Sequence, residues 1–404
     1  MNISRRVLLQ SLIATGFAAS MGSASRAQQG DVIKIGYAAS LTGPNAGGAL
    51  TMTKPNYEFW VHEINKAGGL LLGGKRYPVE LIVYDDRSIS EEAVRAVERL
   101  VTQDKVDIVL PPWGTALNLA VGPLFNKYGF PQVTSTSITD RQPDLAKRWP
   151  MSFLLTGTAT SYAESLVEVL VEAREQGKID DKVAMVSVSD AFGIDQAAAA
   201  RKAFARHNFT LTYDRSYPVA TQDFSSILAE VKDSKVFIAF SYPPDTVAIT
   251  EQAQLHRFNP DIFYVGVGGP FPMYRERFGA SIEGVMTQGG INFESELQRE
   301  YLKAHTEVIG KEPDHSGMIV QHAGLQAYQQ AIERVGSLDF PAIAEVLKTS
   351  TFQTVLGEVT LHDQTMSGTF KTGQYRNGVV VGLSPRKNPG AADPVIPKPA
   401  WPER

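Results

Sequence analysis

From Asp31 onward, short apolar runs alternate with longer stretches whose apolar positions recur every three or four residues. Residues 32–38 predict a buried strand. Residues 50–67 predict a helix closed by Gly68-Gly69, because glycine takes the left-handed backbone that ends a helix. Residues 78–84 alternate and predict the next strand; 90–104 predict a helix with Ser90 as its N-cap. A strand over 106–110, a helix over 115–128 and a strand over 130–134 follow. The pattern then returns, with strands at 183–188, 211–217, 236–240 and 262–265 and helices at 193–207, 224–232 and up to His256. Such alternation predicts parallel sheets covered by helices on both faces. The expected fold class is α/β: two doubly wound parallel-sheet lobes with an interdomain cleft. The first lobe is expected to comprise 31–153 plus 287–353, and the second 154–286 plus 354–384. The proline-rich stretch 385–404 is expected to be an extended, loosely packed tail.

The first 27 residues break this pattern. Arg5-Arg6 precede an apolar run over 7–21, and small residues Ser25 and Ala27 follow, as in a secretory signal peptide (1–27) cut after Ala27. The arginine pair fits a twin-arginine signal, and the run is short of the ~18 apolar residues that a membrane span needs. Cleavage would remove three arginines and no acid, leaving 36 basic against 43 acidic residues, an acidic protein destined for the periplasm. The absence of cysteine excludes disulfides, thiolate catalysis, Cys-ligated metals and a lipid-anchored mature form. No basic stretch interleaved with aromatics suggests nucleic-acid binding.

In doubly wound sheets, ligands sit outside the carboxyl ends of the strands, so the loops after the strands are where chemistry is expected. Several near-motifs there and elsewhere carry none. Gly69, Gly74 and Lys75 are spaced as in a phosphate loop, but Arg76 replaces the required Ser/Thr and a strand follows, so the segment is expected to be a turn. Residues 266–269 run into Pro270 and Pro272 instead of a dinucleotide-binding helix start. The seven histidines show no metal-ligand spacing, and no Gly-x-Ser-x-Gly elbow occurs. No metal, cofactor or catalytic residue is therefore expected, and an exported enzyme is the weakest functional reading.

Ile35-Gly36-Tyr37-Ala38-Ala39-Ser40-Leu41-Thr42-Gly43-Pro44 resembles the opening strand and loop of leucine/isoleucine/valine-type periplasmic solute-binding proteins of ABC transporters. Ile64-Asn65-Lys66-Ala67-Gly68-Gly69, Leu81-Ile82-Val83-Tyr84-Asp85-Asp86 and Asp190-Ala191-Phe192-Gly193 resemble later landmarks of that family, in order and at the right spacing. The resemblance implies a type I periplasmic binding fold with three hinge crossings and a ligand clamped between the lobes. It implies ligand contacts at Thr115, Thr136 and Ile138 in the first lobe and at Phe192, Tyr242 and Gly268 in the second. Trp113 joins them because it lies in a Pro-Pro-Trp-Gly loop instead of on a periodic face.

Two departures from the family matter. Gly268 stands where the family's acid pairs with an amino acid's ammonium, and Ala46-Gly47-Gly48 replaces a first-loop tyrosine. A buried ammonium without a carboxylate partner is costly, which disfavours a free amino acid unless Asp190, Asp245 or another acid substitutes. Thr115, at the start of a helix, suits an anion. The expected ligand is a small carboxylate with an aromatic or branched apolar body. The expected partner is an inner-membrane ABC permease, and the protein is expected to be a monomer. The alternatives are a sensory protein reporting to a receptor or kinase, and a true amino-acid binder.

Overall fold

The computed structural model describes residues 31–291 and 295–402, so the signal segment lies outside the described residues. In the first lobe the strand Ile33–Ala39 is central. It pairs in parallel with Val79–Asp85 on one side and with Ile108–Leu110 on the other. A second parallel pair, Gln132–Thr134 with Ser152–Leu154, forms a separate two-stranded sheet. The second lobe is one seven-stranded sheet. Five parallel strands (Thr210–Tyr217, Lys182–Val188, Val236–Phe240, Ile262–Val265, Met286–Gln288) are continued by the antiparallel pair Thr372–Arg376 and Val379–Ser384. Val236–Phe240 is buried at every position. A strand in the middle of a parallel sheet has helices on both faces, so an unbroken apolar run is what it requires.

Two hydrophobic cores follow from the two sheets. Leu155 belongs to the first and Ala159 to the second; Met286 to the second and Ile291 to the first; Met366 to the first and Tyr375 to the second. Ala49, Met52, Trp113, Ile138 and Met318 also pack in the second core from the first lobe's side of the cleft, and the three places where the chain itself changes lobe lie at 155–159, 286–291 and 366–375. This moves one expected boundary. Val355, Val359, Leu361 and Met366 pack in the first core, carried by the hairpin Thr351–Thr354/Gly357–Thr360. Strand character alone had assigned 354–366 to the second lobe, but a hairpin can roof either core.

The tail is extended but not loose. Ile396 and Lys398 are buried, Val395 N–H donates to Gln374 Oε1, and Trp401 meets Phe263 edge-on. Prolines remove helix from the options without preventing apolar side chains between them from docking.

Local differences have simple causes. Residues 70–77 form a two-stranded hairpin, Leu70–Leu72 with Lys75–Tyr77, in agreement with a turn at Gly73-Gly74. Ser90 is the first helical residue instead of the cap; Ile89 holds that place with no side-chain bond. The first long helix begins early, at Ala46, and carries a wide turn over Ala49–Thr53, where Lys54 N–H reaches back to Ala49 O. Pro55 follows at once and has no N–H to give, so ordinary i→i−4 bonding cannot run through this turn. The widened turn carries Met52 into the space between the lobes.

Candidate functional site

A cleft with about 600 Å³ of empty space, part of it open to solvent, lies between the lobes, at the carboxyl ends of the strands. The structure brings all seven expected site residues to its wall: Trp113, Thr115, Thr136 and Ile138 from the first lobe, and Phe192, Tyr242 and Gly268 from the second. Phe271 also lines it, and Met52, Ser135, Tyr162, Gln288, Asp314 and Ser316 are among its other residues and were not foreseen.

One wall is aromatic and spans both lobes. Trp113 meets Tyr242 at 5.4 Å between ring centroids, and Tyr242 stacks on Phe192 at 5.1 Å. Trp113 is 2% exposed, so it is at once core and cavity wall. Its indole fills the space that a side chain at position 48 would need: a Cβ on Gly48 would lie 2.2 Å from two indole carbons. Gly48, in the segment that replaces the family's first-loop tyrosine, is therefore the other half of having a tryptophan at 113.

Beneath this wall the phenol of Tyr242 donates to Asp190 Oδ2 at 2.7 Å, and Gly193 N–H donates to Asp190 Oδ1 at 2.9 Å. Asp245 accepts from Tyr217 Oη and from the Tyr242 N–H, both at 3.2 Å. Burial pushes Asp190 upward and Asp245 up to about 6. Neither carboxylate reaches the cavity wall. They are committed to holding the tyrosine in place.

The opposite wall is built by first-lobe loops. Thr115 Oγ1 accepts from Ile138 N–H at 3.1 Å and makes a long 3.4 Å contact to Ile138 O, tying two loops together. Thr136 turns its hydroxyl inward, to Pro112 O at 3.0 Å and to the neighbouring Thr134 and Asn118 side chains. The adjacent Ser135 hydroxyl is the one left without a partner at the cavity. Behind this wall lies Lys371, whose Nζ donates to Thr156 O at 2.7 Å and to Thr369 Oγ1. Burial alone lowers its pKa to about 7.

Four long helices open toward the cavity, and their N-termini differ. Helix Ala191–Arg206 is capped by Asp190, Pro243–Leu255 carries Asp245 in its first turn, and Gly317–Val335 is preceded by Asp314. Asp314 accepts N–H bonds from Ser316, Gly317 and Met318 at 2.7–2.8 Å. Each of these three termini already holds an anion from the chain itself. The fourth, Thr115–Tyr128, is capped by Gly114 with no side-chain bond. Its first-turn N–H groups have no partner within the helix, and its positive dipole end has no carboxylate.

The loop after Ile262–Val265 explains the missing acid. Gly268 has φ +96°, and a Cβ there would lie 2.6 Å from Pro243 Cα. Only glycine fits. Gly268→Asp is expected to lower unfolding free energy by about 2 kcal/mol through overpacking and backbone strain, and to confer no leucine binding. Urea unfolding and calorimetry with leucine check both. The carboxylate that does line the cavity is Asp314, raised to about 6 by burial.

The lobes are drawn together beyond the aromatic contact. Thr139 Oγ1 donates to Asp195 Oδ2 at 2.5 Å, and Arg275 pairs with Glu312, which also accepts from His315. No helix among the described residues is long and apolar enough to cross a membrane, and no described cluster of three or more potential ligands could hold a metal ion.

Two α/β lobes crossed three times by one chain, with a cavity between strand ends, form the architecture of a cleft that can close on a small molecule. Residues 32–378 match the family model described as periplasmic binding protein, and the chain belongs to that family. It is 26% identical to the Leu/Ile/Val-binding protein homolog 3 of Brucella melitensis over 384 residues, covering 93% of this chain and 99% of that one. Its fold matches the branched-chain amino acid transporter substrate binding protein of Streptococcus pneumoniae in complex with isoleucine (TM-score 0.73, 19% identity, 86% of this chain and 97% of that one). It equally matches an ABC-transporter solute-binding protein of R. palustris in complex with benzoate (TM-score 0.73, 16% identity, 91% and 97%). The family is one of exported periplasmic proteins that bind small molecules for delivery to a membrane permease, and its fold is that of solute-binding proteins.

Proposed function

We propose that the cleft captures a small carboxylic acid with an apolar, aromatic-sized body and presents it, lobes closed, to an inner-membrane ABC permease. The observation that carries this reading is the vacant N-terminus at Thr115, the one of four without a carboxylate of its own. The Ser135 hydroxyl and the charge of Lys371 behind the wall add to the attraction, and Trp113, Phe192, Tyr242 and Phe271 offer an apolar seat for the body. The benzoate held by the R. palustris neighbour is a ligand of this kind. The protein is taken to act as a monomer after export directed by Arg5-Arg6.

A second reading, an α-amino acid, is favoured by one observation: Asp314 puts a carboxylate at the wall where an ammonium could meet it. A thermal-shift panel of benzoate, phenylacetate, leucine and phenylalanine separates the two. The first reading expects the simple acids to raise Tm, by about 2.7 kcal/mol of linkage at 100 times the Kd, and leucine to leave it unchanged. A shift with the amino acids alone sinks it. Transport and sensing share this site; loss of acid uptake on deleting the gene would establish transport.

The reading also sets a pH dependence. As pH rises, Asp314 gains a negative charge near 6 and Lys371 loses its positive charge near 7. Both changes disfavour a bound anion, so benzoate affinity should fall several-fold between about pH 5 and about pH 8. In Asp314→Asn only the upper step should remain. Calorimetry across that range checks it.

A further inference from the structure

Gln288 ends the strand Met286–Gln288, next to the crossing from the second lobe to the first, and forms part of the cavity wall. It is 6% exposed, and neither Oε1 nor Nε2 has a partner at normal hydrogen-bond geometry; the Tyr264 phenol is near enough only for a weak interaction with the amide. An amide brings one acceptor and two donors, and leaving all of them unmet in a buried position costs stability. Its backbone offers no slack by which to turn away. Gln288 pairs with Thr372 across the sheet, Gly289 N–H donates to Lys371 O at 2.9 Å, and Gly290 N–H donates to Ser316 Oγ at 2.9 Å. The side chain is held where a strand end meets the cleft, and no well-formed hydrogen bond among the described residues satisfies it.

We propose that Gln288 is a specificity-determining residue, which reads a hydroxyl or carbonyl substituent on the body of the bound acid, away from its carboxylate. This rests on the carboxylate reading above and narrows it from a plain apolar acid to a hydroxy- or oxo-substituted one. A site that hydrogen-bonds a substrate group discriminates strongly against the analogue lacking it, because the buried protein group is then left unpaired. With a hydroxyl, the amide can both accept and donate. With an unsubstituted ring it does neither.

The test is calorimetry of the chain from Gln28 onward with benzoate and its 2-, 3- and 4-hydroxy isomers, on the wild type and on Gln288→Met, an apolar side chain of similar length. The expected wild-type result is one hydroxy isomer bound at least about 10-fold more tightly than benzoate. In Gln288→Met that preference should shrink to within about 3-fold. The ligand-free Tm of Gln288→Met should be equal to or above that of the wild type, since an unmet polar group has been removed; a merely structural glutamine would lower it. Equal wild-type affinity for benzoate and every isomer, or a preference that survives in the variant, overturns the assignment of Gln288 while leaving the carboxylate reading intact. Failure of all four acids to bind the wild type overturns the carboxylate reading, and this inference with it.

Discussion

Gly193→Ala is expected to lower the unfolding free energy by about 3 kcal/mol and to weaken ligand capture with it. A Cβ at this position would lie 1.8 Å from the carbonyl oxygen of Val188 and 2.8 Å from its carbonyl carbon. Those are backbone atoms at the end of the strand Lys182–Val188, and they cannot swing aside as a flexible side chain would. The helix start would have to lift off the strand. Gly193 N–H is also the group that Asp190 caps, and Asp190 in turn receives the Tyr242 phenol, on which Phe192 stacks. One methyl group therefore disturbs the aromatic wall as well as the fold. Gly47→Ala is the control. Its Cβ would meet only Pro243 Cβ, at an ordinary 3.8 Å, and alanine is the better helix former, so its stability should hold or rise. Urea unfolding of both variants checks the contrast, and equal midpoints would contradict it.

Thr115→Val should reduce affinity for benzoate by about 10–100-fold, the range for losing a hydrogen bond to a charged group. The hydroxyl makes only a long contact to Ile138 O, so its proton is available to a ligand carboxylate, while its oxygen keeps the Ile138 N–H bond. Loss of that internal bond should cost about 1 kcal/mol of stability in the ligand-free protein. Thr115→Ser keeps the hydroxyl and should retain most of the affinity, whereas Thr136→Val should weaken binding far less, because that hydroxyl is turned into the loop. Equal losses at 115 and 136 would contradict the assignment of roles.

The contrast between those two threonines shows where sequence reasoning stopped. Residues 115–128 were legible as a helix to the residue, even though Gly122 and Pro123 fall inside it. The strands 236–240 and 262–265 were equally plain, being apolar runs between turn residues. Of the aromatic wall, Trp113 was legible from its loop position, whereas Phe192 and Tyr242 came from the family resemblance. What could not be read was which way a hydroxyl points: Thr136 and Ser135 are adjacent, and only the inward bond to Pro112 O separates them.

Gln288, Asp314 and Ser316 were missed for a topological reason. They sit at or beside the crossings, and Met286–Gln288 is three residues long, too short for any periodicity to declare it. A signal existed for one of them. Asp314 followed by Ser316-Gly317 at the start of an apolar helix is the pattern of a side chain that feeds first-turn N–H groups. Strand character was visible only from 354 onward, which misses most of the hairpin's first strand, and only packing decides which core the hairpin covers. Gly268 was read as a loss. The structure shows it as a fit, since Pro243 leaves no room for anything larger.

The central claim is that a carboxylate docks on the open N-terminus of the helix Thr115–Tyr128. The most direct measurement is a crystal structure of the protein grown with benzoate. The account predicts the benzoate carboxylate between the lobes, with an oxygen about 2.7–3.2 Å from Thr115 Oγ1 or a first-turn N–H, and the ring against Trp113 and Tyr242. A carboxylate directed instead toward Gln288, with the helix terminus left to water, would contradict it.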